Sequence, residues 1–216
     1  MSQVKLISLT QSLVPGIATA EQLMIHNARV SAPKNQLNVE TGDKLLAYCI
    51  KNKHWSIFEQ ADMTVEVKTS RAIAAQILRH KSMQFQELSQ RYSEVHDFEE
   101  LEWRLQGATN RQVGDAPYEL SEELTDVVRL AQEVSVKAYE ELLKAGIAKE
   151  CARMVLPLNT QTTMYMKGSV RSWIHYFEVR CSPHAQKEHR DVAMAIRDIF
   201  MQTFPVTAKA LGYEEP

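Results

Sequence analysis

The sequence predicts an α+β fold in a single domain covering residues 1–216, and three observations carry that expectation. Segments of period two, in Val4 to Leu9, Met63 to Lys68 and NTQTTMYMKG, are interspersed with longer segments of helical period. One helical segment follows its strand directly, at Ser70. No repeat, low-complexity stretch or linker divides the 216 residues, a length suited to one hydrophobic core.

Taken in order, Val4 to Leu9 alternates as an opening strand. Thr19, with Gln22 three residues on, makes a capping-box pattern for a helix through about Arg29, and SAPKNQLN is a loop. A second helix is expected from Thr41 to Lys53, with Leu45, Leu46, Cys49 and Ile50 inward and lysines at the end that favours cations. HWSIFEQ is a turn. Met63, Val65 and Val67 then alternate with polar residues as a half-buried strand, and Ser70 caps RAIAAQILRH, whose Ile73, Ala74 and Ile77 face inward. Residues 93–118 are polar and weakly periodic, the expected mobile segment, and carry no assigned chemistry.

Ser121 to Ala145 is the clearest helix. Leu124, Val127, Val128, Ala131, Val134, Ala138, Tyr139, Leu142 and Leu143 keep helical spacing as core or subunit contact, Glu122 and Glu123 occupy the first turn, and Gly146 ends it. A short helix from Ala148 to Val155 stops before Pro157. NTQTTMYMKG is a strand, Ser169 opens a helix through Arg180, and His184 to Phe204 is a final helix buried through Val192, Ala193, Ile196, Ile199 and Phe200.

A formal charge of −2 argues against a general nucleic-acid binder, so any anion bound is expected to be small. The N-terminus lacks the continuous apolar run of a signal peptide and no stretch reaches ~18 apolar residues, which predicts a cytoplasmic protein with no membrane partner. Cys49, Cys151 and Cys181 are odd in number and lack CxxC spacing, so no disulfide framework is indicated. His184 and Glu188 share a helical face beside His189, but without a second Cys or His cluster no metal is expected.

The chemistry concentrates in RHKSMQFQELSQRY, residues 79–92. Arg79, His80, Lys81 and Arg91 stand beside one carboxylate, Glu87, one hydroxyl, Ser89, and the amides of Gln84 and Gln86. An ordinary solvated helix interleaves acids with its bases, whereas here two basic clusters flank a single acid. Guanidiniums suit bidentate phosphate or carboxylate recognition, and Lys81 supplies a compact charge. From charge pattern alone, a surface turn with Tyr92 tucked into the core fits equally well.

The order of these residues resembles the signature of the flavin-dependent thymidylate synthases. Further blocks resemble that family in the same order: His54, Ser56, Phe58 and Glu59; the Ala-Arg-Met-Val-Leu-Pro of CARMVLPLNTQT; and SVRSWIHYFEVRCSPHAQKEHRD. The resemblance implies a small, mostly antiparallel sheet flanked by helices, and a homotetramer with shared active sites. It implies reductive methylation of dUMP to dTMP, with methylenetetrahydrofolate as carbon donor, NADPH as reductant and FAD as cofactor. It assigns His54, Ser56, Arg79, His80, Lys81, Glu87, Ser169, Val170, Arg171 and His175 to FAD. It assigns Gln76, Arg79, Glu87, Leu88, Ser89, Gln90, Arg91, Arg153 and Arg180 to dUMP.

In that scheme Arg180 is the catalytic residue, stabilising negative charge on the uracil ring as N3 loses its proton, and no cysteine nucleophile is required. Arg153 could instead form a surface ion pair on the helix bearing Glu150, and Ser89 could simply cap a turn. Lys81 stands where the family usually has Arg, and Ser169 and His175 where Asn is common, so the details of the flavin contact are open. A related pyrimidine-nucleotide methylase or hydroxymethylase, or a non-catalytic nucleotide-binding relative, would share many of these residues.

Overall fold

The structure is a computed structural model that describes residues 2–94, 97–110 and 113–213. In order it contains β1 (Gln3–Leu9), α1 (Ala20–Ala28), α2 (Gly42–Lys51), β2 (Asp62–Ser70), α3 (Arg71–Ile77), β3 (Gln84–Glu87), β4 (Arg104–Gln106) and β5 (Gly114–Pro117). There follow α4 (Glu122–Lys144), α5 (Lys149–Ala152), β6 (Gln161–Ser169), α6 (Val170–Arg180), α7 (Lys187–Thr203) and α8 (Pro205–Ala210). Four strands form a sheet in the order β1-β2-β6-β3, and β4 pairs antiparallel with β5. This is the α+β class that the mixed periodicities predict. Among the described residues no helix is long and apolar enough to cross a membrane.

The chain gathers into two compact units. One holds Ser2 with residues 68–77 and 87–164; the other holds residues 3–67, 78–86 and 165 onward. The second has a core of Met24, Leu46, Phe58, Met63, Val65, Val67, Met166, Trp173, Tyr176, Phe177, Ile196 and Phe200, all buried. Within it Trp173 stacks on Phe177 at 6.0 Å, and Phe177 meets Phe200 edge-on at 5.3 Å. Gly168 on β6 leaves room for the sulfur of Met83, which occupies the space a Cβ there would take.

Local chemistry explains the element ends. Thr19, Ser121 and Ser169 each sit in extended backbone and accept, through the side-chain oxygen, an N–H three residues on, which caps α1, α4 and α6. At the end of α2, Lys53 takes the left-handed conformation (φ 58°), and the N–H groups of Lys53 and His54 donate to Ile50 O and Cys49 O, a Schellman arrangement that turns the chain into His54.

Several expectations need correction. The third helix stops at Ile77, not His80, because the chain must reverse toward β3; the reversal is closed by Met83 N–H donating to His80 O. Of the segment 93–118, residues 95–96 and 111–112 lie outside the described residues, and the rest include the paired strands β4 and β5, which at three and four residues are too short to show a period. The last helix begins at Lys187 after the turn around Pro183, and Pro205 separates off α8. The stripe on α4 is not core within the chain: Leu124, Val127 and Val134 are 46%, 58% and 57% exposed, and of the helix only Tyr139 is buried. Tyr92 is 80% exposed, so it is not tucked into the core.

A buried carboxylate ties the first helix to the last. Glu21 of α1 is 5% exposed and accepts from Thr207 N–H at 2.6 Å, Thr207 Oγ1 at 2.7 Å and Val206 N–H at 3.2 Å. These are otherwise orphaned donors in the first turn of α8. Removing the acceptor leaves them buried and unpaired, a loss of roughly 2–3 kcal/mol. Glu21→Ala should therefore lower the unfolding free energy by that amount, read as a lower urea midpoint with an unchanged slope, and an unaltered midpoint would show that water satisfies these donors.

Candidate functional site

Helix α6 arranges most of the site in the unit that contains it. Trp173, Tyr176 and Phe177 lie on its buried face, and Trp173 Nε1–H donates to Met63 O at 3.1 Å. Arg180, three or four residues beyond Tyr176 and Phe177, continues that inward face at the helix C-terminus, where the dipole favours a cation. Arg171, His175 and Glu178 continue the opposite face. They border a pocket of about 390 Å³ together with Trp55, Glu59, Ser82, Ser172 and Ile174.

The pocket's polar groups are already ordered. Glu59 accepts from Ser169 Oγ at 2.5 Å and pairs with Arg171 at 3.0 Å, and Ser172 Oγ–H donates to Ser82 O at 3.0 Å. His175 lies 3.8 Å from Glu178. Ser169 thus both caps α6 and engages Glu59, whereas Val170 is buried with its N–H donating to Ala61 O. His54 and Ser56 are exposed on either side of Trp55, and His54 lies edge-on to Tyr48 at 5.7 Å.

At the inward end of α6, Arg180 Nε–H donates to His80 Nε2 at 2.7 Å. That bond requires a neutral imidazole at His80, with its proton on Nδ1. Burial first, then the charges of Arg180, His175 and Arg79, hold the His80 pKa down at about 4. The His80 ring stands edge-on to Tyr176 at 4.9 Å and to His189 at 6.0 Å, and Tyr176 Oη lies 3.1 Å from His189 Nε2. His189 is fully buried, and burial with the nearby Arg180 and His80 pushes its pKa down to about 3. Burial also pushes the Tyr176 hydroxyl well above its ordinary range. Arg79 and Lys81 are exposed and make no hydrogen bond or ion pair among the described residues.

The remaining motif residues belong to the other unit. Glu87 accepts from Arg71 Nη1 at 2.7 Å and from Thr162 Oγ1 at 2.9 Å, and Leu88 N–H donates to Thr163 O. Ser89 does cap a turn: its Oγ accepts from Arg91 N–H at 3.3 Å and its carbonyl from Tyr92 and Ser93 N–H. Gln90 is 5% exposed and its Nε2 has no partner among the described residues. Arg91 Nε pairs with Glu150 at 2.9 Å, while Arg153 Nε donates to Glu150 O at 3.4 Å. The ion pair imagined for Arg153 is therefore made by Arg91. Gln76 is half-buried on α3.

The structure thus brings Arg180 to His80 and gathers Ser169, Arg171 and His175 around one pocket. In the other unit it gathers Arg91 and Arg153 around Glu150. Sequence reasoning missed Arg71 and Thr162 at Glu87, and Tyr176 and His189 behind His80. Tyr176 stands four residues before Arg180, an i,i+4 spacing that carries a signal only once Arg180 is known to face inward. Among the cysteines, Cys49 is buried, Cys151 exposed and Cys181 half-buried, and burial raises the thiol pKa of Cys49 and Cys181. That is the opposite of what a thiolate nucleophile needs.

The family described as thymidylate synthase complementing protein matches residues 12–206. The chain is 49% identical over 212 residues, covering 97% of itself and 98% of the relative, to the probable flavin-dependent thymidylate synthase of Paramecium bursaria Chlorella virus 1. It is 51% identical over 215 residues, covering 97% and 99%, to the flavin-dependent thymidylate synthase of Synechocystis sp.. Among solved structures it resembles the UMP/dUMP methylase PolB from Streptomyces cacaoi bound with 5-Br dUMP, with a TM-score of 0.82, 28% identity and coverage of 100% and 98%. With a family match over nearly its whole length and half its residues shared with two such enzymes, the chain belongs to the flavin-dependent thymidylate synthase family.

Proposed function

We propose that this protein is a flavin-dependent thymidylate synthase that methylates dUMP to dTMP, taking its carbon from methylenetetrahydrofolate and its reducing equivalents from NADPH. The observation that carries this reading is the near-full-length identity of about one half to two relatives of that name. The pocket beside α6 fits a planar cofactor ring: Trp55 and Ile174 supply apolar walls, and Arg171, Ser172 and His175 supply polar groups. FAD, when bound, supplies the hydride transfer. In this reading Ser169, Arg171 and His175 hold the cofactor, with Arg79 and Lys81 adding uncompensated positive charge for its phosphates. A homotetramer belongs to the same proposal, supported by the exposed apolar face of α4.

The chain's own residues would do the positioning. Arg91 and Arg153 receive the nucleotide phosphate, and the turn at Ser89 presents Arg91 from a fixed backbone. Arg180, oriented through its bond to His80, stabilises negative charge on the uracil ring and raises electron density at C5, where the new carbon joins. The depressed basicity of His80 matters here, because only the neutral ring accepts from Arg180. With the Cys49 and Cys181 thiols pushed away from thiolate by burial, ring activation by charge is favoured over addition of either cysteine.

A second reading is favoured by one observation. The structural relative bound with 5-Br dUMP is described as acting on UMP as well, and it has also been solved with 5-Br UMP at a TM-score of 0.81 to this chain. The ribonucleotide is therefore the natural competitor substrate to test.

The purified protein should be yellow and release FAD on denaturation, and with folate and NADPH it should release tritium from C5-labelled dUMP faster than from labelled UMP. A colourless protein that fails to take up FAD would overturn the reading, and a preference for UMP would favour the second.

Arg180→Ala should abolish dUMP-dependent oxidation of the reduced flavin while leaving FAD bound. Near-normal oxidation by the folded variant would remove Arg180 from the mechanism.

The buried histidines give stability a predictable pH dependence. His80 and His189 titrate near 6.5 in the unfolded chain and at about 4 and about 3 in the fold, so the unfolded state takes up protons first as pH falls. Their contribution is complete above about pH 6.5 and is lost as pH drops toward 4 and below. Melting temperature should fall across that window in the unsubstituted protein and less steeply in His189→Gln, whereas parallel curves would show that His189 does not titrate as described.

A further inference from the structure

The turn at Ser89 returns to α5 through contacts that have no evident role in packing. Besides Arg91 with Glu150, Lys149 Nζ pairs with Glu94 at 3.0 Å and donates to Tyr92 O at 3.2 Å. Arg91 and Glu150 are 58% and 51% exposed at their side chains, so their ion pair adds little to stability. Yet it places a carboxylate on the guanidinium that the proposed function needs for a phosphate.

We propose that Glu150 competes with the nucleotide phosphate for Arg91 and so sets the affinity for pyrimidine monophosphates. The inference rests on the reading that Arg91 and Arg153 receive that phosphate. An incoming phosphate carries close to two negative charges and meets a third within hydrogen-bonding distance of the same guanidinium. At a separation of about 6 Å in water, partly screened by salt, that repulsion amounts to roughly three- to ten-fold in affinity.

The opposite role, in which Glu150 orients Arg91 for the phosphate, fits the geometry less well. One contact to Nε between two half-exposed side chains orients weakly, and the Arg91 backbone is already fixed by the Ser89 turn. The two roles predict opposite signs, since removing an orienting carboxylate weakens binding and removing a competitor strengthens it. Glu150 meets Arg153 through its backbone carbonyl, so a change of its side chain leaves that contact intact. Product leaves from the same site, and the competition would also speed release of dTMP.

Calorimetric titration of the whole protein with dUMP, inorganic phosphate and deoxyuridine tests this. Glu150→Gln should bind dUMP and phosphate roughly three- to ten-fold more tightly, with deoxyuridine unchanged, and the gain should vanish in an Arg91→Ala background. Equal or weaker dUMP binding by Glu150→Gln, or a gain that persists without Arg91, would overturn the competition while leaving the phosphate assignment standing. An unsubstituted protein that binds dUMP no better than deoxyuridine would overturn the assignment itself, and this proposal with it.

Discussion

Burial of the aromatic face of α6 is the constraint on which the site depends. Trp173, Tyr176 and Phe177 have no exposed surface to speak of, and the indole N–H of Trp173 is held by Met63 O. Together these set the rotation of the helix about its axis. Once that rotation is fixed, Arg180 must point inward and Arg171 and His175 outward, because side chains advance by about 100° per residue. One helix therefore separates two tasks, bordering a pocket on one face and placing a guanidinium against His80 on the other.

The inward end shows how burial and charge cooperate. Burial first, and then the charge of the neighbouring guanidinium, disfavour the imidazolium form, so the imidazoles of His80 and His189 are held neutral. Neutral His80 then offers an acceptor to Arg180. The polar cluster of His80, Tyr176 and His189 is thereby compatible with an otherwise apolar core, and it restricts the orientation of the one side chain on which the proposed chemistry relies.

Much of the fold was legible beforehand for reasons visible in particular residues. Thr19, Ser121 and Ser169 cap helices because a hydroxyl before a periodic segment satisfies an N–H three residues on, and this needs no tertiary partner. Met63, Val65 and Val67 are buried in alternation, as a half-buried strand demands. The β4–β5 hairpin was not legible, because strands so short have no measurable period and depend on each other for their hydrogen bonds. Nor was the exposure of Leu124, Val127 and Val134, since an apolar stripe has the same spacing whether the chain or another subunit covers it.

The division at the site is similar. The amino-acid sequence by itself determined the secondary-structure plan, the charge imbalance around Arg79 to Arg91 and the family, because these are properties of residue order and local spacing. Only the tertiary structure decided that Arg180 bonds to His80, that Glu87 is held by Arg71 and Thr162, and that Glu150 takes Arg91 rather than Arg153. Those pairings join residues 16 to 100 positions apart. No local propensity encodes which of several nearby charges will meet across such a distance; the packing that brings the backbones together does.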